Sequence, residues 1–286
     1  MRNILFSFLK KTVALIGGHG IGRIWPFRQV YQFLLTRLQP RTAEVHGHKM
    51  FLDPNDSLRL SLWGVYEPFE TRLFMDHVKS GDVVLDIGAN IGYYTLLAAK
   101  LVGAEGSVHA FEPDPDNFAL LQKNVRHNNY QNVVLENRAV SDRNGKIELF
   151  KAGDNWGGHS IYDAADRSSH ITVDVIALDD FFKDGPTAIN LVKMDIEGAE
   201  VGALQGMIHL FGRHESIKLF TEFSPVALKK SGSSAEEYLD LLKRLGFAFY
   251  YLNDREQKLE AATRDDILKA HGHEADPANL FCVKSG

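Results

Sequence analysis

Cysteine is almost absent from this chain, and the chain has no excess of positive charge. Cys282 is the one cysteine among 286 residues, which excludes an intramolecular disulfide and a metal site built from thiolates alone. The 32 lysines and arginines are outnumbered by 37 aspartates and glutamates, so the formal net charge is −5. A phosphate backbone is therefore not attracted to the molecule as a whole, and nucleic acid is not an expected partner. The single cysteine agrees with a reducing compartment, and we expect a cytoplasmic location.

Long hydrophobic runs are also missing. The apolar stretch over residues 4–16 is interrupted by Lys10 and Lys11, so it matches neither a membrane-spanning helix nor a secretory signal. We predict that residues 1–55 form a helical or extended extension and that residues 56–286 form the main domain. The extension is expected to pack on the main domain or to remain poorly ordered, and a partner or a membrane surface is the alternative contact.

From about residue 81, short β-rich runs alternate with helical periods, which is typical of an α/β protein whose parallel sheet is covered by helices. The apolar run Val83–Ile87 predicts a buried strand, and Ser107–Phe111 predicts the next one. Asp114 and Pro115 then supply an N-cap and a first helical residue. Further extended segments are predicted at residues 133–137, 146–150, 172–178, 190–194, 217–221, 247–252 and 279–283. We expect the last two to form an antiparallel pair.

A glycine turn follows the first strand, in the segment Asp86-Ile87-Gly88-Ala89-Asn90-Ile91-Gly92. Glycines let the backbone approach a ligand closely, and free N–H groups at a helix start favour a carboxylate or phosphate. The G-x-x-x-G spacing lacks the pattern of dinucleotide-binding proteins, which disfavours NAD. Glu112 ends the second strand, where a carboxylate can accept hydrogen bonds from both ribose hydroxyls of a nucleoside. The alternative is that the glycines serve packing and that Glu112 is a solvated carboxylate.

Four segments together resemble a known family. They are residues 86–95 (DIGANIGYYT), 111–115 (FEPDP), 137–142 (NRAVSD) and 193–200 (KMDIEGAE). In this order they are similar to the motifs of the FkbM-type S-adenosylmethionine-dependent methyltransferases, over about residues 60–225. The resemblance implies a class I methyltransferase (Rossmann-like) fold, with a seven-stranded, mostly parallel sheet, an antiparallel last strand and helices on both faces. It also implies O-methylation of a hydroxyl on a sugar, glycan or natural product.

The resemblance further assigns a site for S-adenosylmethionine. The glycine turn and its preceding aspartate would hold the amino-acid end of the cofactor, a glutamate would bind the ribose, and two residues after the third strand would border the adenine. The seven residues concerned are Asp86, Gly88, Asn90, Gly92, Glu112, Asn137 and Ala139. For Asn137, an amide that satisfies its own turn is the alternative.

Methyl transfer to an alcohol requires alignment of the acceptor oxygen and a group that receives its proton. Asp195, after the fourth parallel strand, is the first candidate. His159, in a glycine-flanked loop, is the second, and Glu222 could orient the acceptor hydroxyl. Asp195 and Glu222 could together coordinate Mg²⁺ in a metal-assisted mechanism. Further ligands are not evident in the sequence, and no metal ligand is assigned. Glu200, at a predicted helix start, is expected to be structural.

Two other functions use the same features. A non-catalytic nucleoside-binding scaffold would retain the fold without the chemistry, and an NAD-dependent oxidoreductase would need the missing glycine spacing. For the enzyme, the expected partner is a small-molecule or glycan acceptor. We also expect residues 40–80 to help close the site through Tyr66-Glu67-Pro68, or else to pack on the sheet.

Overall fold

The computed structural model describes residues 6, 37–150, 170–185, 188–272 and 277–284. Backbone contacts divide the chain into two units, Met1–Tyr66 and Glu67–Gly286. The domain boundary expected after residue 55 stays a prediction. Among the described residues, no helix combines the length and the apolar composition needed to cross a membrane.

The described part of the first unit is a small hairpin followed by a short helix. Its elements are β1 (Thr42–Val45), β2 (His48–Phe51) and α1 (Leu60–Trp63). The two strands pair antiparallel through the turn at His46 and Gly47, which both have positive φ, as a tight two-residue hairpin turn requires. Asp56 then accepts hydrogen bonds from the backbone N–H groups of Leu60 and Ser61, so its carboxylate satisfies the start of α1.

The second unit holds two sheets and nine described helices. Its strands are β3 (Val83–Ile87), β4 (Ser107–Phe111), β5 (Val133–Glu136), β6 (Ala139–Val140), β7 (Gly145–Phe150), β8 (His170–Ile176), β9 (Leu191–Met194), β10 (Ile217–Phe223), β11 (Phe247–Asn253), β12 (Lys258–Ala262) and β13 (Ala278–Lys284). Its helices are α2 (Pro68–His77), α3 (Tyr93–Val102), α4 (Pro115–His127), α5 (Leu178–Phe181), α6 (Glu200–Gln205), α7 (Ile208–Gly212), α8 (Pro225–Lys230), α9 (Ala235–Arg244) and α10 (Arg264–His271).

The large sheet has the strand order β12-β11-β13-β10-β9-β3-β4-β5. Strands β10, β9, β3, β4 and β5 run parallel, and the last strand, β13, lies antiparallel between β10 and β11. The predicted class I methyltransferase fold and the antiparallel closing pair are therefore confirmed.

The predicted strand number is wrong, because the large sheet has eight strands and not seven. The additional strand, β12, pairs antiparallel with β11 at the edge of the sheet. Its residues are half-buried or exposed and include Lys258 and Glu260. Charged side chains are usual on an edge strand, but they remove the apolar alternation by which a strand is recognised in a sequence.

A second, three-stranded sheet has the order β6-β8-β7. It confirms the extended segments expected at residues 146–150 and 172–178, although the second of these ends at Ile176 because Leu178 begins α5. Ala139, Leu149 and Val175 form part of its small apolar core. This sheet places β6 and β7 beside the carboxyl ends of the large sheet.

Helices cover both faces of the large sheet, as predicted. Leu85 and Ile87 of β3 pack into the core that contains buried residues of α6 and α9, whereas Asp86, which points to the other face, accepts a hydrogen bond from Thr95 of α3. The expected N-cap of α4 is present, since Asp114 accepts from the backbone N–H of Asp116 at 2.8 Å.

The chain after β9 forms two short helices. The apolar stripe over residues 201–211 is shared by two short helices, α6 and α7, which are separated at Gly206. A Cβ at Gly206 would lie 2.0 Å from the carbonyl oxygen of Ser141, so the chain passes close to that backbone where the two helices meet.

Candidate active site

A cavity of about 590 Å³, including its open mouth, lies at the carboxyl ends of β3, β4 and β9. This is the edge where ligands bind in open α/β sheets. Five of the predicted site residues line it: Gly88, Asn90, Glu112, Ala139 and Asp195. The apolar side chains of Phe111, Val140 and Leu149 form another part of its wall. The cavity thus combines polar groups with an apolar surface suited to a nucleoside.

The glycine turn has an unusual backbone, with φ of +83° at Gly88, +50° at Asn90 and +94° at Gly92. The N–H groups of Gly88 to Gly92 all donate to acceptors within the protein. Those of Gly88 and Ala89 donate to the carbonyl oxygen of Phe111, and that of Asn90 donates to Glu112. The N–H of Ile91 donates to the Asn90 side chain, and that of Gly92 donates to the Ala89 carbonyl oxygen. The turn is therefore a fixed frame, and it contributes shape more than unpaired donors.

Glu112 connects this turn to the start of α4. Its Oε2 accepts from the N–H of Asn90 and its Oε1 accepts from the N–H of Asp114, both at 2.8 Å. The residue is only 5% exposed, so the alternative of a solvated carboxylate is excluded. Burial raises the pKa of Glu112 to about 8, although the two backbone N–H groups act in the opposite direction. Each carboxylate oxygen has a second lone pair, which leaves acceptor capacity for a hydroxyl.

Three predicted cofactor residues support the loops of the site. Asp86 is buried beneath the turn and bonded to Thr95, and burial raises its pKa to about 6. Gly92 leaves no room for a side chain, because a Cβ there would lie 2.6 Å from the Leu121 side chain. Asn137 donates from Nδ2 to the carbonyl oxygens of Glu112 and Pro113, at 2.8 and 3.1 Å. These two acceptors lie after β4, 25 and 24 residues away in the sequence, so these contacts of Asn137 are not the expected alternative of an amide that satisfies its own turn. Contacts of all three residues with cofactor stay predictions.

Asp195 and Glu222 are brought together with Glu197. One carboxylate oxygen from each lies within 4.8 Å of the others. Burial, followed by the charge of Asp195, raises the pKa of Glu222 to about 9 and that of Glu197 to about 7. Within the described part of the chain, Glu222 Oε2 is buried without a hydrogen-bond partner. Burial therefore favours the protonated form of Glu222, and its Oε2 is an oxygen that a ligand could contact.

Oxygen atoms at these distances could also hold a hard divalent cation. Clusters of half-buried carboxylates also occur without a cation. The raised pKa values of Glu222 and Glu197 indicate that bound protons can reduce the repulsion between these carboxylates. The metal-assisted alternative for Asp195 and Glu222 accordingly remains open, with no metal ligand assigned.

Sequence reasoning missed a buried ion pair next to Asp195. Lys193 Nζ lies 2.8 Å from Glu70 Oε1 of α2 and 3.8 Å from Asp195 Oδ2. The signal was present in the sequence, since Lys193 stands between Val192 and Met194 in an apolar strand. A lysine there requires a buried acidic partner.

Glu67, from the expected Tyr66-Glu67-Pro68 segment, lies near this pair. Its Oε1 accepts from Asn279 Nδ2 at 3.0 Å, and its Oε2 accepts from the Tyr94 hydroxyl at 3.4 Å. Burial, followed by the charge of Glu70, raises the pKa of Glu67 to about 7. Closure of the site by residues 40–80 stays a prediction.

Two other predicted residues have different outcomes. His159 lies outside the described residues, so its position relative to Asp195 stays a prediction. Glu200, expected to be structural, is buried as the first residue of α6, and its Oε1 accepts from the N–H of Gly198 at 3.1 Å. That contact agrees with a role at the helix start.

Comparison with known proteins gives the family. Residues 86–249, more than half of the chain, match the methyltransferase FkbM domain. The chain is 33% identical to the 31-O-demethyl-FK506 methyltransferase FkbM of Streptomyces tacrolimicus, over 49% of this chain and 66% of that protein. It is 30% identical to the hexuronic acid methyltransferase AglP of Haloferax volcanii, over 48% of this chain and 54% of that protein.

The matched region thus spans between about half and two thirds of the length of these two relatives. A solved structure of a SAM-dependent methyltransferase from Aquifex aeolicus aligns with a TM-score of 0.45 and 14% identity, covering 82% of this chain and 99% of that one. By the domain match, the chain belongs to the FkbM family of S-adenosylmethionine-dependent methyltransferases.

Proposed function

We propose that this protein transfers the methyl group of S-adenosylmethionine to a hydroxyl oxygen of a sugar, glycan or natural-product acceptor. The observation that carries the proposal is that Asp195, which follows β9, lines the same cavity as Glu112, which follows β4 on the other side of β3. A proton acceptor and a nucleoside-binding carboxylate thus face one space. The names of two relatives, a 31-O-demethyl-FK506 methyltransferase and a hexuronic acid methyltransferase, support this acceptor class.

The cavity residues fit the cofactor. Glu112 would accept hydrogen bonds from the ribose, and Ala139 and Leu149 would contact the adenine with apolar surface. The frame formed by Gly88 and Asn90 would face the amino-acid end. The cofactor supplies an electrophilic methyl group on a sulfonium, and the residues of this chain supply alignment and proton transfer.

Asp195 and Glu222 have different roles in this proposal. When bound, the cofactor would supply the methyl group and leave as its demethylated thioether, and Asp195 would receive the proton that the acceptor hydroxyl loses. Glu222, protonated at neutral pH, donates a hydrogen bond that orients the acceptor. When the environments of two neighbouring carboxyl groups give them different pKa values, one commonly acts as the acid and the other as the base. His159 remains the alternative proton acceptor.

A direct test combines binding with methyl transfer. Calorimetry should show binding of S-adenosylmethionine and of its demethylated product, and none of NAD. Incubation with tritiated S-adenosylmethionine and host-cell extract, fractionated by charge and size, should then label an acceptor. Cofactor binding without labelling of any fraction would indicate the non-catalytic scaffold instead. The cytoplasmic location also stays a proposal, which rests on the single, buried Cys282.

A further inference from the structure

Lys193 is an unexpected residue for its position. It lies on β9, between β3 and β10, where its neighbours Val192 and Met194 are fully buried. Its own side chain is 2% exposed, and that of its partner Glu70 is 1% exposed. Lysine and glutamate are almost never buried to this degree unless they are paired.

The ammonium group of Lys193 is surrounded by acceptors on several elements. Glu70 Oε1 lies 2.8 Å away on α2, and Asp195 Oδ2 lies 3.8 Å away after β9. The ring centroid of Tyr94, on α3, is 5.0 Å from Nζ. Burial alone would lower the pKa of Lys193, but the charges of Glu70, Asp195 and Glu67 more than offset this and hold it well above its ordinary value. The surrounding carboxyl groups therefore favour the cationic form of Lys193.

Stability alone does not account for this pair. A buried ion pair loses the hydration of both charges, and its replacement by apolar residues of similar volume is often neutral or stabilising. The pair is also not isolated in the core, since Asp195 is 30% exposed and lines the cavity. The cation thus connects a buried glutamate to a carboxylate in the active site.

We propose that Lys193, anchored by Glu70, is a positioning residue that holds the Asp195 carboxylate toward the acceptor side of the cavity. The inference rests on the proposed function, because it assumes that Asp195 contacts the acceptor hydroxyl. The ion pair with Glu70 fixes the position of the Lys193 ammonium group. The ammonium group therefore attracts the Asp195 carboxylate toward one fixed position. Proton transfer depends on the position of the accepting oxygen within a few tenths of an ångström, and an unanchored carboxylate would turn toward solvent.

The first test is structural and does not require the acceptor. Crystal structures with the demethylated cofactor product would be determined for the wild type, Lys193→Met and the double variant Glu70→Met/Lys193→Met. The double variant leaves no lone buried charge, so it should fold even where Lys193→Met does not. In each variant we expect the Asp195 carboxylate to leave its wild-type position while the β9 backbone stays in place. An unchanged Asp195 conformation would overturn the proposal.

The second test is a double-mutant cycle, measured as single-turnover methyl transfer to the labelled acceptor fraction. Lys193→Met should lower the rate about 10²-fold in the wild-type background and less than about 2-fold in Asp195→Asn. Lys218→Met is the matched control, because Lys218 is on the neighbouring β10 and donates to the His77 carbonyl oxygen. It should retain the wild-type rate.

The outcomes separate the two proposals. Equal losses in both backgrounds would show that Lys193 acts independently of Asp195, which would overturn the positioning role alone. A wild-type rate in Asp195→Asn would instead remove Asp195 from the proposed chemistry. Restoration of the rate by Lys193→Arg, which retains the cation, would further distinguish positioning from simple core packing.

Discussion

The backbone of Asp195 occupies the space that a side chain on Gly88 would need. A Cβ on Gly88 would lie 2.0 Å from the Asp195 carbonyl oxygen and 2.9 Å from the Ile196 side chain. The N–H of Asp195 also donates to the carbonyl oxygen of Ile87 at 3.0 Å. The glycine turn, proposed to face the cofactor, and the segment of Asp195, proposed to face the acceptor, are thus joined by direct backbone contact.

Substitution of Gly88 by alanine should therefore be severe. The φ of +83° already costs about 1 to 3 kcal/mol for a residue with a side chain, and the clash with the Asp195 backbone adds to it. We expect a loss of more than about 4 kcal/mol in the free energy of unfolding, measured with urea, or no folded protein. Gly81→Ala is the matched control, because Gly81 has φ of +85° with no atom within 4 Å of its Cβ position. Equal losses in the two variants would contradict the close approach.

Local patterns predicted the frame of the site. The apolar run of β3, the glycines after it and the N-cap Asp114 are each defined by neighbouring residues, and the structure has them where the sequence places them. Glu112 could be placed in the site because the carboxyl ends of parallel strands meet at one edge of a sheet.

Contacts between distant segments could not be predicted in the same way. The partner of Lys193 comes from α2, far away in the sequence, and no periodicity selects Glu70 from the other acidic residues. The amide of Asn137 also has competing uses, and its bonds to the Glu112 and Pro113 carbonyls depend on how β4 and β5 align. These contacts follow from tertiary packing, which a single sequence does not encode locally.

Glu112 should be required for cofactor affinity. Glu112→Ala removes the proposed acceptor of the ribose hydroxyls. Binding of the demethylated cofactor product should therefore weaken by about 1.5 to 3 kcal/mol above pH 8, where the carboxyl group is ionised, and by less at neutral pH. Isothermal titration calorimetry would measure this, with circular dichroism to establish folding. Glu105→Ala, at an exposed carboxylate after α3, should bind as the wild type does. Unchanged affinity in a folded Glu112→Ala protein would remove Glu112 from the cofactor site.

The buried carboxyl groups should make the protein more stable in mild acid than in base. Glu112, Glu200 and Glu222 have pKa values raised by burial from 4.5 to about 8, 7 and 9. Between pH 4.5 and these values the folded state binds more protons than the unfolded state, so the free energy of unfolding falls as pH rises. We expect a lower melting temperature at pH 9 than at pH 6. In Glu222→Gln, which cannot ionise, the fall between these pH values should be smaller; an identical fall would contradict the raised pKa.

Glu222 should also determine how the reaction responds to base. With a pKa of about 9, Glu222 in its proposed role would donate a hydrogen bond to the acceptor below that pH and would lose this proton above it. The methyl-transfer rate of the wild type should therefore fall as pH rises through about 9. Glu222→Gln remains a donor at every pH, so it should keep most of its rate at pH 7 and lose the alkaline fall. A parallel alkaline fall in wild type and variant would assign it to another group.

Asp195 should matter more to turnover than to cofactor affinity, because we propose that it contacts the acceptor and not the cofactor. Asp195→Asn keeps the shape and removes the charge, so the single-turnover rate should fall about 10²- to 10⁴-fold while binding of the demethylated product changes little. His159→Gln is the comparison: if the imidazole is the base, that variant takes the larger loss, and a wild-type rate that rises with pH through the histidine range becomes flat in it.

The single-turnover rate should also be measured in the presence of EDTA, which removes divalent cations. A rate that is lost on chelation and restored by Mg²⁺ would favour the metal-assisted alternative, in which Asp195 and Glu222 bind a cation in place of their separate roles. Insensitivity to EDTA, combined with a slow Asp195→Asn enzyme, would support proton transfer to the carboxylate. If Asp195→Asn keeps the wild-type rate, the carboxylate mechanism is excluded, and His159 or alignment of the acceptor alone must account for the reaction.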